Sequence, residues 1–187
     1  MDFTNIDKSW TLFLDRDGVI NHEKKNDYVQ NRKEFIFYDG VLKALDVLNK
    51  IFGIIVIVTN QKGVGKKLMT LQDLEDIHAY MLHEIEHAGG RIDKIYFCAD
   101  LDSDSPNRKP NAGMALQAKA DFDDIDFSKS MIAGNKLSDM GFGRNAGMHT
   151  VFIASTNPET AFPDEMIDAR FDSLLSFAQS LAPLTKS

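Results

Sequence analysis

The sequence predicts an α/β fold in which one parallel sheet lies between two layers of helices. Short apolar runs alternate along the chain with longer segments of helical periodicity, as in sheets whose parallel strands are joined by helices. The run GIIVIV at 53–58 is apolar throughout, as a strand buried on both faces must be. With 187 residues, 43% of them apolar, the chain can bury one substantial core. We therefore expect a three-layer, Rossmann-like architecture and a single domain over residues 1–187.

Five segments have the composition of buried strands. Each is short, mostly apolar, and contains β-branched or aromatic side chains. The carboxyl ends of parallel strands meet at one edge of the sheet, and ligands bind beyond that edge. The residues that follow each strand are therefore the candidates for a site. In chain order the predicted strands are WTLFL (10–14), GIIVIV (53–58), IDKIYFC (92–98), MIAG (131–134) and HTVFIA (149–154).

The segments between these strands have helical spacing. Thr70 stands where an N-cap is expected, ahead of a helix that continues to about His87. The intervals between the strand ends are filled by these elements and leave no room for a separate cap domain. The site should therefore be open and bounded by the loops 18–35, 61–69 and 99–107. The other predicted helices are 41–52, 111–122, one from about Ser138, and 172–182.

Charge and cysteine content restrict the partners and the compartment. The formal net charge is −7 and no long basic run interrupts it, which argues against nucleic acid or an anionic membrane as the main partner. Cys98 is the single cysteine and cannot form an internal disulfide. The first residues lack the features of a signal peptide, and the longest apolar run is too short to cross a bilayer. We expect a cytoplasmic monomer or small homo-oligomer that binds a small metabolite.

Polar side chains follow four of the predicted strands. The first strand ends in two carboxylates at alternate positions, Asp15 and Asp17, with a glycine directly after them. A capping role explains any one of these polar residues, but it does not explain four sets at the same edge. The later strand ends supply Thr59 and Asn60, then Arg108 and Lys109, then Asn135, Lys136 and Asp139.

This combination of side chains suits phosphoryl transfer. One carboxylate can attack phosphorus and form an aspartyl phosphate, while a second protonates the leaving oxygen and then activates water. Hard oxygen ligands bind Mg²⁺, and lysine and hydroxyl donors hold the remaining phosphate oxygens. We therefore predict a Mg²⁺-dependent phosphomonoester hydrolase that uses Asp15 and Asp17.

Four motifs in chain order, DRDGVIN, VTNQ, RKPNAGM and GNKLSDM, resemble those of the haloacid dehalogenase superfamily of phosphatases. The most similar branch contains the heptose-1,7-bisphosphate and histidinol-phosphate phosphatases. The resemblance implies a haloacid dehalogenase-like fold, with Asp15 as nucleophile and Asp17 as acid and base. It implies that Thr59 and Lys109 hold the phosphoryl group, that Arg108 contacts the substrate, and that Asp15, the carbonyl of Asp17 and Asn135 hold Mg²⁺. We further expect Asn60 and Lys136 to bind the phosphate or substrate, and Asp139 to act on the metal through water.

The same resemblance implies a sugar phosphate such as D-glycero-D-manno-heptose 1,7-bisphosphate as the substrate. Histidinol phosphate is the alternative substrate. A non-catalytic phosphosugar-binding protein is a third interpretation, because the family's fourth motif begins Gly-Asp where this chain has Asn135. An amide oxygen can still ligate Mg²⁺, so we expect weaker metal binding rather than lost activity. Alternatively, Asn135 merely caps the following helix.

Relatives of the heptose branch often carry a zinc-binding loop before the Arg-Lys-Pro motif. In that stretch only Cys98 is a thiol, and Asp100, Ser105 and Asn107 stand about where the other ligands would be. One thiol cannot form a tetrahedral structural zinc site. We expect no zinc and a half-buried Cys98 at a strand end.

Two further patterns carry weak signals. HEIEH at 83–87 matches a zinc-protease motif, but its histidines fall opposite the apolar face formed by Leu74, Ile77, Met81, Ile85 and Ala88. KGVGKK at 62–67 suggests a phosphate-binding loop but lacks the Walker spacing. It is expected to be either a basic loop that helps to hold an anionic substrate or a solvated one.

Overall fold

Six parallel strands form one sheet in the order β3-β2-β1-β4-β5-β6. The computed structural model describes residues 3–182, so both ends of the predicted domain 1–187 lie outside the described residues. From β1 the next strands, β2 and β3, are added on one side, and β4, β5 and β6 are added on the other. Ligands of open α/β sheets bind at such a switch point, here between β1 and β4. The strands are β1 (Thr11–Leu14), β2 (Ile54–Asn60), β3 (Lys94–Cys98), β4 (Ser130–Gly134), β5 (His149–Ile153) and β6 (Ala169–Phe171).

Helices cover both faces of this sheet, which confirms the three-layer prediction. They are α1 (Val41–Ile51), α2 (Lys62–Gly65), α3 (Leu71–His87), α4 (Gly113–Asp121), α5 (Leu137–Ala146) and α6 (Leu174–Leu181). Side chains of α1, α3 and α6 pack with Leu12 and Leu14 in one apolar cluster. Those of α4 and α5 pack with Phe13 in a second cluster, because successive strand residues point to opposite layers. Within residues 3–182 no additional folded unit is inserted between the strands.

All five predicted strands are present, with bounds that differ by one or two residues. The sequence pattern missed β6, which has only three residues, two of them half-buried, and so shows no clear apolar run. It also missed α2, a single helical turn within the expected loop 61–69. Thr70 caps α3 as predicted: its hydroxyl accepts from the Asp73 N–H at 3.1 Å.

The structure corrects or refines two further expectations. Cys98 is buried, with 3% exposure, rather than half-buried, because it packs in the second apolar cluster. His83 and His87 are exposed on α3, as the helical spacing predicted. Among residues 3–182, none of the helices combines the length and the apolar character that a membrane crossing requires.

Candidate active site

The candidate site lies where β1 and β4 leave the sheet side by side. The two strands pair in parallel, and the Asp15 N–H continues the ladder by donating to the Ala133 carbonyl at 3.0 Å. This contact holds Asp15 beside the end of β4, with 6% of its surface exposed. Gly18 then turns the chain with φ of 90°, in the left-handed region that favours glycine. A Cβ at Gly18 would lie 2.0 Å from the Asn135 amide nitrogen, so only glycine allows this close approach.

Three oxygen atoms lie close together where β1 and β4 end, and none of them donates a hydrogen bond to another. The side-chain oxygen of Asn135 lies 3.2 Å from Asp15 Oδ2 and 3.2 Å from the Asp17 carbonyl oxygen. The amide nitrogen of Asn135 points the other way and donates to Thr156 Oγ1 at 2.6 Å. Acceptors that face one another repel unless a donor or a cation lies among them, and carboxylate, amide and carbonyl oxygens are the ligands that Mg²⁺ takes. The donor set therefore fits a divalent cation.

Lys109 supplies the positive charge next to this oxygen cluster. Its ammonium group contacts Asp15 Oδ1 at 2.8 Å, Asp139 Oδ1 at 2.7 Å and the Val58 carbonyl at 2.8 Å, which uses all three of its donors. Burial would lower the pKa of Lys109, but the two carboxylates raise it, so the lysine stays charged. Burial, together with the negative charges of Asp139 and Asp17, raises the pKa of Asp15 to about 6, although Lys109 acts to lower it. Two carboxylates and one ammonium leave this group with a net charge of −1.

Asp139 has a different environment from the one predicted for a metal ligand. Its Oδ1 binds Lys109, and its Oδ2 accepts from the Lys136 N–H at 2.9 Å, at the start of α5. Both oxygens are therefore engaged away from the three-oxygen cluster. The same contact identifies Asp139, and not Asn135, as the side chain that binds the N-terminus of α5. The helix-cap alternative for Asn135 was therefore wrong.

Asn60 also has partners that the sequence did not suggest. Its Oδ1 accepts from the Lys109 N–H at 3.1 Å and its Nδ2 donates to the Lys109 carbonyl at 3.2 Å. The side chain thus ties the end of β2 to the backbone of the loop that carries Lys109. The role that this geometry gives Asn60 is to position Lys109.

Asp17 is held by a separate set of donors. Arg16 binds it through two nitrogen atoms, the closer contacts being 2.8 Å, and Asn21 and Gln61 each donate to it at 2.9 Å. Burial would raise the pKa of Asp17, but the Arg16 guanidinium and these hydrogen bonds hold it below its usual value. Arg16 is itself 1% exposed, and its other terminal nitrogen lies 3.1 Å from His78 Nε2. Burial lowers the pKa of His78 to about 3, so this imidazole is neutral and accepts from Arg16.

Two adjoining cavities open onto these residues. One of about 320 Å³ contains the catalytic candidates, and a second of about 520 Å³ continues from it toward the loop 23–29. Arg108 faces the first cavity while donating to the Asp100 carbonyl at 3.0 Å. Lys136 lines both cavities and pairs with Glu23 at 2.6 Å. The first cavity is lined by Asp15, Asp17, Tyr28, Thr59, Asn60, Lys62, Arg108, Lys109, Lys136, Ser138 and Asp139.

The structure thus places all nine side chains selected from the sequence in or next to this site. Five further residues contact them there, four directly and His78 through Arg16. Three of the five had a visible signal. Thr156 and Asn157 follow β5 at the same sheet edge, where the strand-end rule applies equally. His78 lies between Ile77 and Met81 near the apolar face of α3, an unusual place for an imidazole. Arg16 and Gln61 lie within the DRDGVIN and VTNQ motifs, but only the residues next to them were assigned roles from the sequence. The five additions are Arg16, Gln61, His78, Thr156 and Asn157.

Within residues 3–182, no three acidic, histidine or cysteine side chains form a metal site by themselves. The three-oxygen cluster escapes such a pattern because two of its oxygens come from an amide and a backbone carbonyl. The prediction that this chain binds no zinc stays a prediction.

Comparison with known proteins identifies relatives of this chain. Residues 11–160 match the family described as polynucleotide kinase 3 phosphatase. A D-glycero-alpha-D-manno-heptose-1,7-bisphosphate 7-phosphatase of Mycobacterium tuberculosis (strain ATCC 25618 / H37Rv) is 36% identical over 170 residues, 90% of each chain. The enzyme of that name from Campylobacter jejuni is 39% identical over 148 residues, 79% of this chain and 84% of the relative.

Solved structures with a similar fold include two phosphatases. The D,D-heptose 1,7-bisphosphate phosphatase of B. bronchiseptica, crystallised with magnesium and phosphate, superimposes with a TM-score of 0.84 at 26% identity, covering 95% of this chain and 99% of that one. The D,D-heptose 1,7-bisphosphate phosphatase of Burkholderia thailandensis superimposes with a TM-score of 0.66 at 26% identity, covering 92% of this chain and 97% of that one. The chain therefore belongs to the polynucleotide kinase 3 phosphatase family of the haloacid dehalogenase superfamily, in the branch that includes the heptose-1,7-bisphosphate 7-phosphatases.

Proposed function

We propose that this chain is a Mg²⁺-dependent phosphatase that releases phosphate from a small phosphorylated sugar through an aspartyl phosphate on Asp15. The observation that carries the proposal is the convergence of Asp15 Oδ2, the Asp17 carbonyl and the Asn135 oxygen beside the Lys109 ammonium. A buried group with net charge −1 favours a cation, and a cation together with lysine favours a phosphate. Mg²⁺, when bound, would neutralise phosphate charge and align the phosphoryl group with the nucleophile.

In the first half-reaction an Asp15 oxygen attacks phosphorus and the bond from phosphorus to the sugar oxygen breaks. Lys109 orients Asp15 by binding its Oδ1, so the carboxylate cannot rotate freely. Asp17 gives the departing sugar oxygen a proton, which it has taken from solvent or from the attacking water of the preceding turnover. Thr59 accepts from Gln61 at 2.9 Å, which leaves its own hydroxyl hydrogen free to donate to a phosphate oxygen.

In the second half-reaction water attacks phosphorus, phosphate leaves, and the Asp15 carboxylate is restored. Asp17 takes the proton from this water. The donors around Asp17 stabilise its carboxylate form, which is the form a base requires. Gln61 contacts both Thr59 and Asp17, at 2.9 Å each, and so couples the phosphate-binding hydroxyl to the acid–base residue.

The second cavity supports a substrate with a second anionic group. Lys62 faces the first cavity and Lys25 the second, and neither forms an ion pair with any residue of the described range 3–182. Lys66 adds a third cation, with its ammonium 5.2 Å from the centre of the Tyr28 ring. A sugar bisphosphate would place its second phosphate among these lysines. Histidinol phosphate would place an ammonium group there, which the same cations repel.

The relatives named above act on heptose 1,7-bisphosphate, and we extend that substrate to this chain. The expected location in the cytoplasm and the monomeric or small oligomeric state remain predictions. The rival interpretation is a phosphosugar-binding protein without activity. Hydrolysis of phenyl phosphate that needs Mg²⁺ would exclude it.

The test compares heptose 1,7-bisphosphate, heptose 7-phosphate, histidinol phosphate and phenyl phosphate as substrates. We expect the bisphosphate to have the highest kcat/KM. Lys25→Met, in the second cavity, should raise the KM for the bisphosphate severalfold and leave that for phenyl phosphate unchanged. Lys43→Met is the matched control, because Lys43 is exposed on α1 and lines neither cavity. Faster turnover of histidinol phosphate would replace the proposed substrate with the alternative one.

A further inference from the structure

The loop after β5 contacts Asn135 from the side opposite the three-oxygen cluster. The Thr156 hydroxyl lies 2.6 Å from Asn135 Nδ2. Asn157 donates to the Asn135 carbonyl at 2.8 Å and to Thr156 Oγ1 at 3.1 Å. Asn135 is fully buried, and Gly18 closes another side of its amide. Thr156 is thus the side chain that meets the outer atom of this amide.

The orientation of the Asn135 amide matters because its two ends are chemically different. With the oxygen toward the cluster, a cation can bind, and Thr156 accepts a hydrogen bond from the amide nitrogen. With the amide rotated by half a turn, its nitrogen donates to Asp15 Oδ2 and to the Asp17 carbonyl, both at 3.2 Å, and its oxygen accepts from Thr156 at 2.6 Å. In that second state the amide itself satisfies the cluster and takes the place of a cation.

The hydroxyl of Thr156 satisfies the amide in both states, because a hydroxyl can accept or donate. A carboxylate at position 135 presents an oxygen atom at both ends, so the Thr156 hydroxyl would not favour one orientation of it over the other. The requirement is therefore specific to a chain with asparagine at this position. It also implies that Mg²⁺ must displace two hydrogen bonds of the rotated amide, which weakens its binding.

We propose that Thr156 is a positioning residue that lets the Asn135 amide rotate between a state that pairs with Asp15 and Asp17 and a state that ligates Mg²⁺. The proposal rests on the magnesium site of the proposed function. Without the hydroxyl, the metal-bound state leaves a buried amide hydrogen without a partner, whereas the other state leaves only a carbonyl, which is tolerated better. Removal of the hydroxyl should therefore weaken Mg²⁺ binding selectively when residue 135 is asparagine.

The test is a double-mutant cycle read by calorimetric titration with MgCl₂, without substrate. Thr156→Val should weaken Mg²⁺ binding by about three- to tenfold in the native background, and by less than about twofold in the Asn135→Asp background. Thr156→Ser retains the hydroxyl and should bind Mg²⁺ like the native chain. Equal weakening by Thr156→Val in both backgrounds would mean a merely structural role and overturn the proposal.

A second measurement observes the amide directly in the native chain. In a ¹⁵N-labelled sample the side-chain amide signal of Asn135, assigned by its absence in Asn135→Asp, reports which group the amide hydrogens face. Mg²⁺ should create a nuclear Overhauser contact between these hydrogens and the Thr156 methyl group. An amide that shows this contact equally with and without Mg²⁺ does not rotate, and the proposal fails. A native chain that binds no Mg²⁺ at all would contradict the proposed function itself.

Discussion

Asp15 and Asp17 leave the same strand two residues apart, yet they meet different cations in different ways. Asp15 shares one lysine with Asp139, and its second oxygen faces the cluster formed with Asn135. Asp17 has an arginine of its own, and only its backbone carbonyl faces that cluster. One carboxylate is left partly uncompensated and the other is fully paired.

The difference separates two tasks that carboxylates perform in phosphoryl transfer. The uncompensated charge around Asp15 favours a metal ion and, through it, a phosphate. The side chain of Asp17 is bound by Arg16, Asn21 and Gln61 instead, and the proposed acid–base role falls to it. Two positions just beyond one strand are thus enough to give two acids different surroundings, one with a shared lysine and one with an arginine of its own.

The largest effect is expected for Asp15→Asn. An amide is too weak a nucleophile to form an acyl phosphate, so phosphate release should fall by roughly 10⁴-fold or more. The fold should persist, because the amide retains the shape of the side chain. Phosphate release and the thermal midpoint are the measurements. Residual turnover within tenfold of the native rate would exclude Asp15 as the nucleophile.

Lys109→Met is expected to remove both activity and stability. The variant leaves two buried carboxylates without their shared cation, and breaking such a group costs about 3–5 kcal/mol of unfolding free energy. Adding Asp139→Asn should recover part of that loss but none of the activity. Urea denaturation and phosphate release distinguish the two effects. Lys136→Met is the control, since its ammonium is half-exposed and its surface ion pair is worth little. Equal destabilisation by both lysine variants would contradict the shared-cation account.

Asp17→Asn should slow the reaction by about 10²–10⁴-fold for an alkyl phosphate, because the amide cannot donate or take the proton. The loss in the first half-reaction should shrink for p-nitrophenyl phosphate, whose leaving group needs little protonation. Burst kinetics compare that step for both substrates. Identical losses for good and poor leaving groups would remove Asp17 from the role of acid.

Asn135→Asp is expected to have the mildest effect, and it should strengthen Mg²⁺ binding where the other variants reduce activity. A carboxylate adds a negative charge at contact distance, which should lower the Mg²⁺ concentration for half-maximal activity by roughly tenfold. Asn135→Ala should raise that concentration. The turnover rate at saturating Mg²⁺ should change little. Superimposable Mg²⁺ titrations for the Asn and Asp proteins would exclude residue 135 as a ligand.

The alternation of strands and helices and the strand-end rule predicted the sheet and led to the residues on both sides of this comparison. The residues that pair with each of the two acids were harder to predict from the sequence. Arg16 lies between them in sequence, but its burial against His78 depends on how α3 packs. Thr156 lies 21 positions after Asn135, and no local pattern connects the two. Sequence thus indicates which groups reach the sheet edge, whereas tertiary packing decides which group pairs with which.

The most direct test of the central claim is chemical trapping of the phosphorylated enzyme. Enzyme turning over a sugar phosphate is quenched with acid and reduced with borohydride, which converts an aspartyl phosphate to homoserine. Tryptic cleavage after Lys8 and Arg16 gives fragment 9–16, SWTLFLDR, in which Asp15 is the only carboxylic side chain. We expect homoserine in this fragment at position 15, dependent on Mg²⁺ and absent in Asp15→Asn. Homoserine at position 17 or elsewhere, or none in an active enzyme, would contradict the account.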